Sequence, residues 1–287
     1  MSGATHEIVS LESGLYLVAT PIGTARDITL RALDILASAD VLAAEDTRTL
    51  RHLMEIHGIP LAGRRLLSYH DHNGARMRPR IAGLIEEGYA VAYASDAGTP
   101  LVADPGYALA REIGAAGHLV TMAPGPSAAL AALSLSGLPS DRFLFAGFLP
   151  PAEGARATAL KDLAGVPATL IFFESAQRCS RTVHACMAEL GDREAALCRE
   201  LTKRFEEVRR GSLSTIAAGL DTDPPRGEIV LVIDRDRSET GQEDMEAALR
   251  TALDTMSVKD AAQVVSEALG VPRRSVYQMA LKLEKGG

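Results

Sequence analysis

The sequence contains no tryptophan, and aromatic residues make up only 4% of its 287 residues. A hydrophobic core in this chain must therefore rest on Ala, Leu, Val and Ile. No apolar run approaches the roughly 18 residues that a membrane-spanning helix needs, so none is expected. Residues 1–10 include Glu7 and lack a basic segment followed by an apolar stretch, which argues against a signal peptide and favours a cytoplasmic location.

Cysteine is scarce as well, and its spacing does not fit a metal site. Cys179, Cys186 and Cys198 are odd in number and form no CxxC pair, and the sequence has no HExxH motif. We expect three buried free thiols in a reducing compartment, and we predict no metal ligands.

Two common nucleotide-binding motifs are also missing. The first predicted strand is not followed by GxGxxG, and GxxxxGK[ST] does not occur, so neither a Rossmann dinucleotide site nor a P-loop is predicted. The net charge of −7 argues against a protein that coats nucleic acid indiscriminately, but it is compatible with a local basic groove.

Short apolar runs alternate with helical patterns through the first 124 residues. The runs are typical of strands, and the patterns between them place apolar residues at helical spacing. This alternation favours an α/β unit with a largely parallel sheet. The predicted strands are 15–19, 41–44, 90–94 and 118–122, and the predicted helices are 29–39 and 105–116.

The pattern restarts after Pro124-Gly125-Pro126, where Ser127 is a good N-cap for an Ala-rich helix through about Leu135. A second sheet follows, then a polar linker over 234–243 and a helical pattern over 244–285. We therefore predict domains at 13–124 and 125–236 and a small helical module at 244–287. The strands predicted for the second sheet are 143–149, 169–173, 195–198 and 228–233, with a crossing helix at 176–190.

Four segments place Gly, Pro, Thr and charged residues at predicted strand ends, where open α/β sheets bind their ligands. Small residues in the first three would let a ligand approach the backbone, although simple turns or an interdomain hinge need the same residues. In the fourth, interleaved acidic and basic residues are equally typical of a solvated face. The segments are 20–27, 95–106, 123–129, and 173–178 taken with 199–207.

Two clusters of potential metal ligands are interpreted as turns. Asp96 and Asp104 flank the second segment and could form a metal pair, but among so many Gly and Pro residues we expect them to cap turns. The run His70-Asp71-His72-Asn73 precedes a predicted helix, and successive residues of a strand point to opposite faces, so a turn is favoured there too.

Taken in order, these segments resemble one family. The matching stretches are LYLVATPIGTARDITLRAL, AAEDTR, SYHDHN, SDAGTPLVADPG, APGPSAALAALSLSGLPSDRFLFAGFLP, ESAQR, CRELTKRFEEVRRG and GEIVLVI. Over residues 13–236 they resemble the RsmI family, the bacterial 16S ribosomal RNA (cytidine-2′-O)-methyltransferases of the tetrapyrrole-methylase superfamily. The resemblance implies a homodimeric α/β protein of tetrapyrrole-methylase-like fold, with S-adenosylmethionine bound in the cleft between its two domains.

The cofactor-binding pattern of the superfamily implies a set of contact residues when it is carried over motif by motif. Tetrapyrrole-modifying members usually have Asp at the position of Thr99 and often Gly-Pro-Gly in place of 20–23, whereas the RNA-modifying branch looks like this sequence. The implied cofactor-binding residues are Pro21, Ala97, Gly98, Thr99, Val102, Ser127, Ala128, Phe173, Leu201 and Gly227.

The implied reaction is 2′-O-methylation of a cytidine ribose in the decoding region of 16S ribosomal RNA. A ribose hydroxyl is a poor nucleophile while protonated, so a positioned base should help, and our hypothesis assigns that role to Glu174 or Asp27. Arg178, Arg199 and Lys203 lie beside the cofactor segments and are expected to grip flanking phosphates.

Residues 257–287 have the pattern of a helix, a turn at Gly270 and a second helix that begins near Pro272 and Ser275. The segment carries five Lys or Arg against three Asp or Glu, which favours RNA contact through Arg273 and Arg274. A two-helix dimerisation or packing element would produce the same pattern.

Two other functions fit parts of this pattern. A methylase of a tetrapyrrole or a protein side chain would need a closed apolar pocket in place of a basic cleft. A non-catalytic RNA-binding factor of the same fold would have no affinity for the cofactor.

Overall fold

A computed structural model describes residues 6–236, 240–269 and 271–285. Its first unit is a five-stranded parallel sheet in the order β3-β2-β4-β1-β5. The strands are β1 (Gly14–Val18), β2 (Val41–Ala44), β3 (Arg65–Ser68), β4 (Ala90–Ala94) and β5 (Leu119–Ala123). The helices between them are α1 (Leu30–Ser38), α2 (Thr47–Ile56), α3 (Gly74–Glu86) and α4 (Tyr107–Ala115).

The central strands of this sheet are apolar on both faces because helices cover both sides. Val18, Leu42 and Ala92 pack with α1 and α2, whereas Val91 and Tyr93 pack with α3 and α4. A continuous apolar run is the pattern expected of a parallel strand buried in this way. The turns that leave the carboxyl ends of these strands therefore all lie at one edge of the sheet.

The second unit contains a mixed sheet in the order β6-β7-β10-β8-β9. Strand β10 runs antiparallel to both β7 and β8, so its start lies beside the ends of both neighbours. The strands are β6 (Phe143–Phe148), β7 (Thr169–Ser175), β8 (Glu194–Arg199), β9 (Glu207–Ser212) and β10 (Glu228–Ile233). The helices of this unit are α5 (Ala128–Ser136), α6 (Glu153–Ala164), α7 (Ala176–Leu190) and α8 (Leu213–Thr222).

Helices cover this sheet on both faces as well. Residues of α6, α7 and α8 form one core with the sheet, and α5 packs on the opposite face through Ala129, Ala132 and Leu133. Ile22, from the loop after β1, joins this second core. The two units therefore share apolar packing at the point where the loop after β1 meets α5.

Three helices follow: α9 (Thr240–Leu253), α10 (Val258–Leu269) and α11 (Arg273–Lys285). They share a small core that includes Leu249, Ala261, Val265 and Val276. The predicted turn residue Gly270 lies outside the described residues. No helix of the described ranges is long and apolar enough to cross a membrane.

The predicted α/β architecture and its helical module are confirmed, and so are the predicted strands, to within two residues at their ends. Two edge strands, β3 and β9, were not predicted. β3 has only four residues, with Arg65 exposed, and β9 (EVRRGS) is mostly polar, because an edge strand is buried less than a central one. The linker prediction was wrong over 240–243, because these residues lie in α9.

Candidate functional site

A cavity of ≈ 370 Å³ lies between the turns at the carboxyl edge of the first sheet and the strand ends of the second. Nine of the ten residues predicted to bind cofactor line it: Ala97, Gly98, Thr99, Val102, Ser127, Ala128, Phe173, Leu201 and Gly227. The tenth, Pro21, is buried and is not part of the lining, whereas its neighbour Ile22 is.

The turns after β1 and β4 are joined by backbone hydrogen bonds. The Thr20 amide donates to the Gly98 carbonyl (2.9 Å), and the Gly98 amide donates to the Thr20 carbonyl (3.0 Å). Gly98 has a φ of +81°, a conformation that glycine adopts without strain. The Thr99 hydroxyl then donates to the Pro126 carbonyl (2.9 Å), which holds the turn before α5 against the same loop.

Helix α5 begins at the cavity. Ser127 is its N-cap, and the Ser127 hydroxyl accepts a hydrogen bond from the Leu130 amide. Within the described ranges, the Ala128 and Ala129 amides of the first turn have no hydrogen-bond acceptor. Free amides at a helix start, together with the positive end of the helix dipole, favour an anionic group such as a carboxylate.

The loop after β1 also contacts the second unit directly. The Thr24 hydroxyl donates to the Thr202 carbonyl, and the Thr24 amide donates to the Thr202 hydroxyl (3.1 Å). A Cβ at Gly23 would lie 2.6 Å from both Thr202 Oγ1 and the Lys203 side chain, so only glycine fits this approach. This contact fixes the turn 201–203 against the first unit, and Leu201 of that turn lines the cavity.

Glu228, which lines the cavity, belongs to an ion-pair cluster with Lys203 and Glu200. Lys203 Nζ lies 3.0 Å from Glu200 Oε1 and 2.7 Å from Glu228 Oε2, and Glu200 Oε1 also accepts the Glu228 amide (3.0 Å). These bonds lower the pKa of Glu200, and the largest cause is the hydrogen bond from the Glu228 amide. Gly227, with φ +84°, leaves the space that the Glu200 carboxylate occupies.

Aromatic and aliphatic side chains also line the cavity. Phe173 packs edge-on against Phe145 and Phe148, with ring centroids 4.7 and 5.7 Å away. Phe148 lines the cavity and is 58% exposed, so its ring presents an apolar surface to solvent there. An aromatic wall of this kind suits a flat heterocycle.

Glu174 lines the cavity, but its carboxylate is buried and hydrogen-bonded on both oxygens. Oε2 accepts the Thr182 hydroxyl (2.6 Å), and Oε1 accepts the Ser175 amide (2.8 Å) and lies 3.3 Å from Arg178 Nε. These partners belong to the start of α7 and its first turns. The carboxylate therefore stabilises the junction between β7 and α7.

The other predicted catalytic residue, Asp27, is exposed and does not line the cavity. Of the predicted phosphate contacts, Arg178 pairs with Glu174, and its guanidinium donates to the Leu149 carbonyl. Arg199 Nη1 lies 3.4 Å from Glu207, and Lys203 carries the two ion pairs described above. Arg273 and Arg274 are both exposed, in the first turn of α11.

The turn interpretation was right for Asp96 and wrong for Asp104. Asp96 Oδ1 accepts the Asp46 amide (2.9 Å), which joins the turns after β2 and β4. Asp104 caps no turn: within the described ranges its carboxylate has no hydrogen bond or ion pair, and it lines the cavity. Burial, together with the charges of Glu45 and Asp96, raises the pKa of Asp104 to about 6.

Several lining residues were missed in the sequence: Ile22, Phe148, Cys198, Glu228, Ile229 and Val230. Most of them belong to the ends of β6, β8 and β10. Because β10 lies antiparallel between β7 and β8, its start joins their ends, and that pairing could have been found only from the strand order.

Comparison with known proteins agrees with this geometry. Residues 14–217 match the family Tetrapyrrole (Corrin/Porphyrin) Methylases, and residues 239–284 match the RsmI C-terminal HTH domain. A Mesorhizobium japonicum protein named Ribosomal RNA small subunit methyltransferase I is 47% identical, with 96% of this chain and 93% of the relative covered. A protein of the same name from Erythrobacter litoralis is 46% identical, with 97% of this chain and 98% of the relative covered.

Among solved structures, that of diphthine synthase has a TM-score of 0.59 and 17% identity, with 77% of this chain and 90% of that chain covered. That likeness shows a shared fold. The family match spans most of the chain, and the two relatives match it nearly from end to end. The chain belongs to the tetrapyrrole methylases and, among them, to the ribosomal RNA small subunit methyltransferase I (RsmI) family.

Proposed function

We propose that this protein transfers a methyl group from S-adenosylmethionine to the ribose 2′-hydroxyl of a cytidine in 16S ribosomal RNA. The observation that carries the proposal is the convergence, in one cavity, of nine residues that the sequence implied as cofactor contacts. Family membership and the names of the relatives, which are ribosomal RNA methyltransferases, support the acceptor class. We further propose that the cofactor binds in a cleft between two domains, residues 13–124 and 125–236.

The chemistry of the lining residues fits S-adenosylmethionine. The cavity lies within the range of about 300–1,000 Å³ that is typical of small-molecule sites. Phe173, Leu201 and Ile229 offer apolar surface to an adenine ring, and the start of α5 offers free amides to a carboxylate. Asp104 and Glu228 place negative charge beside a cationic ligand. When bound, the cofactor supplies a methyl group on positively charged sulfur, an excellent leaving group.

The protein's main task is then to align the acceptor oxygen about 3 Å from the methyl carbon and to exclude water. The bonds between Thr20 and Gly98, Thr99 and Pro126, and Thr24 and Thr202 fix the turns that would do so. Preorganised turns of this kind align the reactants without a further loss of conformational freedom. The geometry favours neither Glu174 nor Asp27 as the base, because Glu174 is hydrogen-bonded on both oxygens and Asp27 does not line the cavity.

The helical module is proposed as part of the RNA-binding surface. Arg178, Arg199 and Lys203 already pair with carboxylates, so RNA phosphates would have to compete for them. Arg273 and Arg274 are exposed at the start of α11 and offer a less costly contact. Replacing both by Ala should weaken binding to small ribosomal subunits and flatten its salt dependence, whereas Lys161→Ala on α6 should change neither. An unchanged salt slope in the double variant would exclude this role.

The implied homodimer can be tested by light scattering.

Calorimetric titration with S-adenosylmethionine tests the cofactor site. The wild-type chain should bind it, and Ala128→Leu, which fills part of the cavity, should weaken binding at least about tenfold. Ala155→Leu makes the same change on an exposed position of α6 and should leave affinity unchanged. Absence of binding by the wild-type chain would contradict the proposal and favour a non-catalytic RNA-binding factor.

A further inference from the structure

We propose that the Asp104 carboxylate accepts the proton of the RNA hydroxyl that becomes methylated. This inference rests on the proposed function and names a catalytic residue for it. The O–H bond breaks and its proton passes to an Asp104 oxygen, while an oxygen electron pair forms the new O–C bond. The C–S bond breaks, and its electron pair stays on sulfur as a neutral thioether. Asp104 then returns the proton to water.

The first argument is the position of Asp104 in a loop that is shaped around the cavity. Val102, Ala103 and Asp104 all line it. Leu101 and Ala103 have φ values of +71° and +60°, a left-handed conformation that is strained for a residue with a side chain. Strain of this kind persists where the surrounding structure enforces it, and it clusters at functional sites.

The enforcement is visible next to Asp104. The Tyr93 hydroxyl donates to the Pro105 carbonyl (2.8 Å), which ties the loop to β4. A Cβ at Gly106 would lie 2.7 Å from the Leu101 side chain and 2.8 Å from the Tyr93 ring, so glycine permits the loop to close on itself. Asp104 is therefore held at the cavity by packing on both sides of its loop.

The second argument is that the Asp104 carboxylate is unengaged, unlike the other carboxylates of the cavity. The Glu174 oxygens accept hydrogen bonds from Thr182 and Ser175, and Glu228 pairs with Lys203. Throughout the described ranges, no donor or cation within bonding distance satisfies Asp104. Its oxygens are thus available to a hydroxyl that enters the cavity.

The third argument is electrostatic. Three titratable groups of the first unit interact with Asp104: Glu45 in the turn after β2, Tyr93 in β4 and Asp96 in the turn after β4. The second unit contributes two more carboxylates to the cavity, those of Glu174 and Glu228. Burial and the charges of Glu45 and Asp96 raise the pKa of Asp104 to about 6. Such a group is ionised at neutral pH and still a stronger base than an ordinary carboxylate, which suits general base catalysis.

Single-turnover methyl transfer to small ribosomal subunits tests the assignment. Asp104→Asn should slow the step on the order of 10²-fold or more, and calorimetry should show that the variant still binds S-adenosylmethionine, with a loss of affinity much smaller than the loss of rate. Asp162→Asn, an exposed aspartate of α6, should keep the wild-type rate. A rate within about threefold of wild type in Asp104→Asn would overturn the proposal. If the wild-type chain itself transferred no methyl group, the proposed function would fail first.

A second variant separates a proton acceptor from a merely structural residue. The wild-type rate should rise with pH through an apparent pKa near 6 and then level off, because only ionised Asp104 accepts the proton. Glu45→Gln removes a repelling charge and should move that rise to lower pH. Carbon-13 NMR of labelled aspartate, recorded without cofactor, should show the same downward shift for the Asp104 carboxyl. A shift in the carboxyl titration with no shift in the rate profile would refute the role.

Discussion

Gly227 offers a direct test of how the wall of the cavity is built. Replacing it by Ala introduces two separate costs. The backbone at φ +84° is strained for any residue with a side chain, by about 1–2 kcal/mol. The new Cβ would also lie 2.3 Å from Glu200 Oε1, so the Glu200 carboxylate must move away from its present position.

That movement breaks the bonds that Glu200 Oε1 accepts from the Glu228 amide and from Lys203. A hydrogen bond to a charged group contributes about 1.5–3 kcal/mol, and partial exposure of this cluster favours the lower end. Two such bonds, together with the backbone strain, give a total loss of about 4–5 kcal/mol in the free energy of unfolding.

Gly137 provides the matched control. It ends α5 with φ +77°, and a Cβ there would meet no atom within 4 Å. Gly137→Ala should therefore cost only the backbone strain, about 1 kcal/mol. Urea unfolding followed by far-UV circular dichroism measures both variants, since the chain has no tryptophan to report by fluorescence. Equal losses for the two variants would refute the idea that Gly227 exists to accommodate Glu200.

Three further predictions follow from buried polar groups. Thr182→Val removes the donor to Glu174 Oε2 and should cost about 1–3 kcal/mol, which thermal unfolding would show; no loss would mean that the bond adds nothing. Burial raises the pKa of Cys179 and Cys186 to about 12 and of Cys198 to about 11, so all three thiols should resist Ellman's reagent until urea is added; fast labelling of the native chain would contradict this. The pKa of Asp104 is higher in the folded chain than the 3.8 of an unperturbed aspartate, so its ionisation destabilises the fold as pH rises from about 4 to 6. Asp104→Asn should thus be about 1–3 kcal/mol more stable than wild type at pH 7 and no more stable at pH 4; an equal gain at both pH values would contradict the linkage.

The sequence was most informative where local patterns coincide with burial. β2, β4 and β10 read as apolar runs because helices cover both faces of their sheets, and their predicted bounds match the structure. Edge strands β3 and β9 carry polar residues because one side has no neighbouring strand, so their sequences look like loops. The other two edge strands, β5 and β6, have mostly apolar sequences and were predicted, so it is the polar composition of β3 and β9 that hid them.

The site was predictable only in part, for a similar reason. The Gly-rich turn with Ala97 and Gly98 could be read as a ligand loop because its small residues leave the backbone accessible. The sequence did not reveal which carboxylate of the site lacks a hydrogen-bond partner. Glu174 sits in an apparently favourable motif, yet Thr182, eight residues later on α7, occupies its oxygen. Asp104 looked like a turn cap, and only the folded loop shows that no donor or cation among the described residues satisfies its carboxylate.

The most direct test of the account follows the transferred methyl group to its atom. Small ribosomal subunits from cells that lack this protein are incubated with the chain and tritiated S-adenosylmethionine, and the RNA is then hydrolysed in alkali. Alkaline cleavage needs a free 2′-hydroxyl, so methylation of that oxygen leaves a dinucleotide that resists hydrolysis. The account predicts that the label appears in one alkali-stable dinucleotide that begins with cytidine. Label confined to mononucleotides would place the methyl group on a base and contradict the central claim.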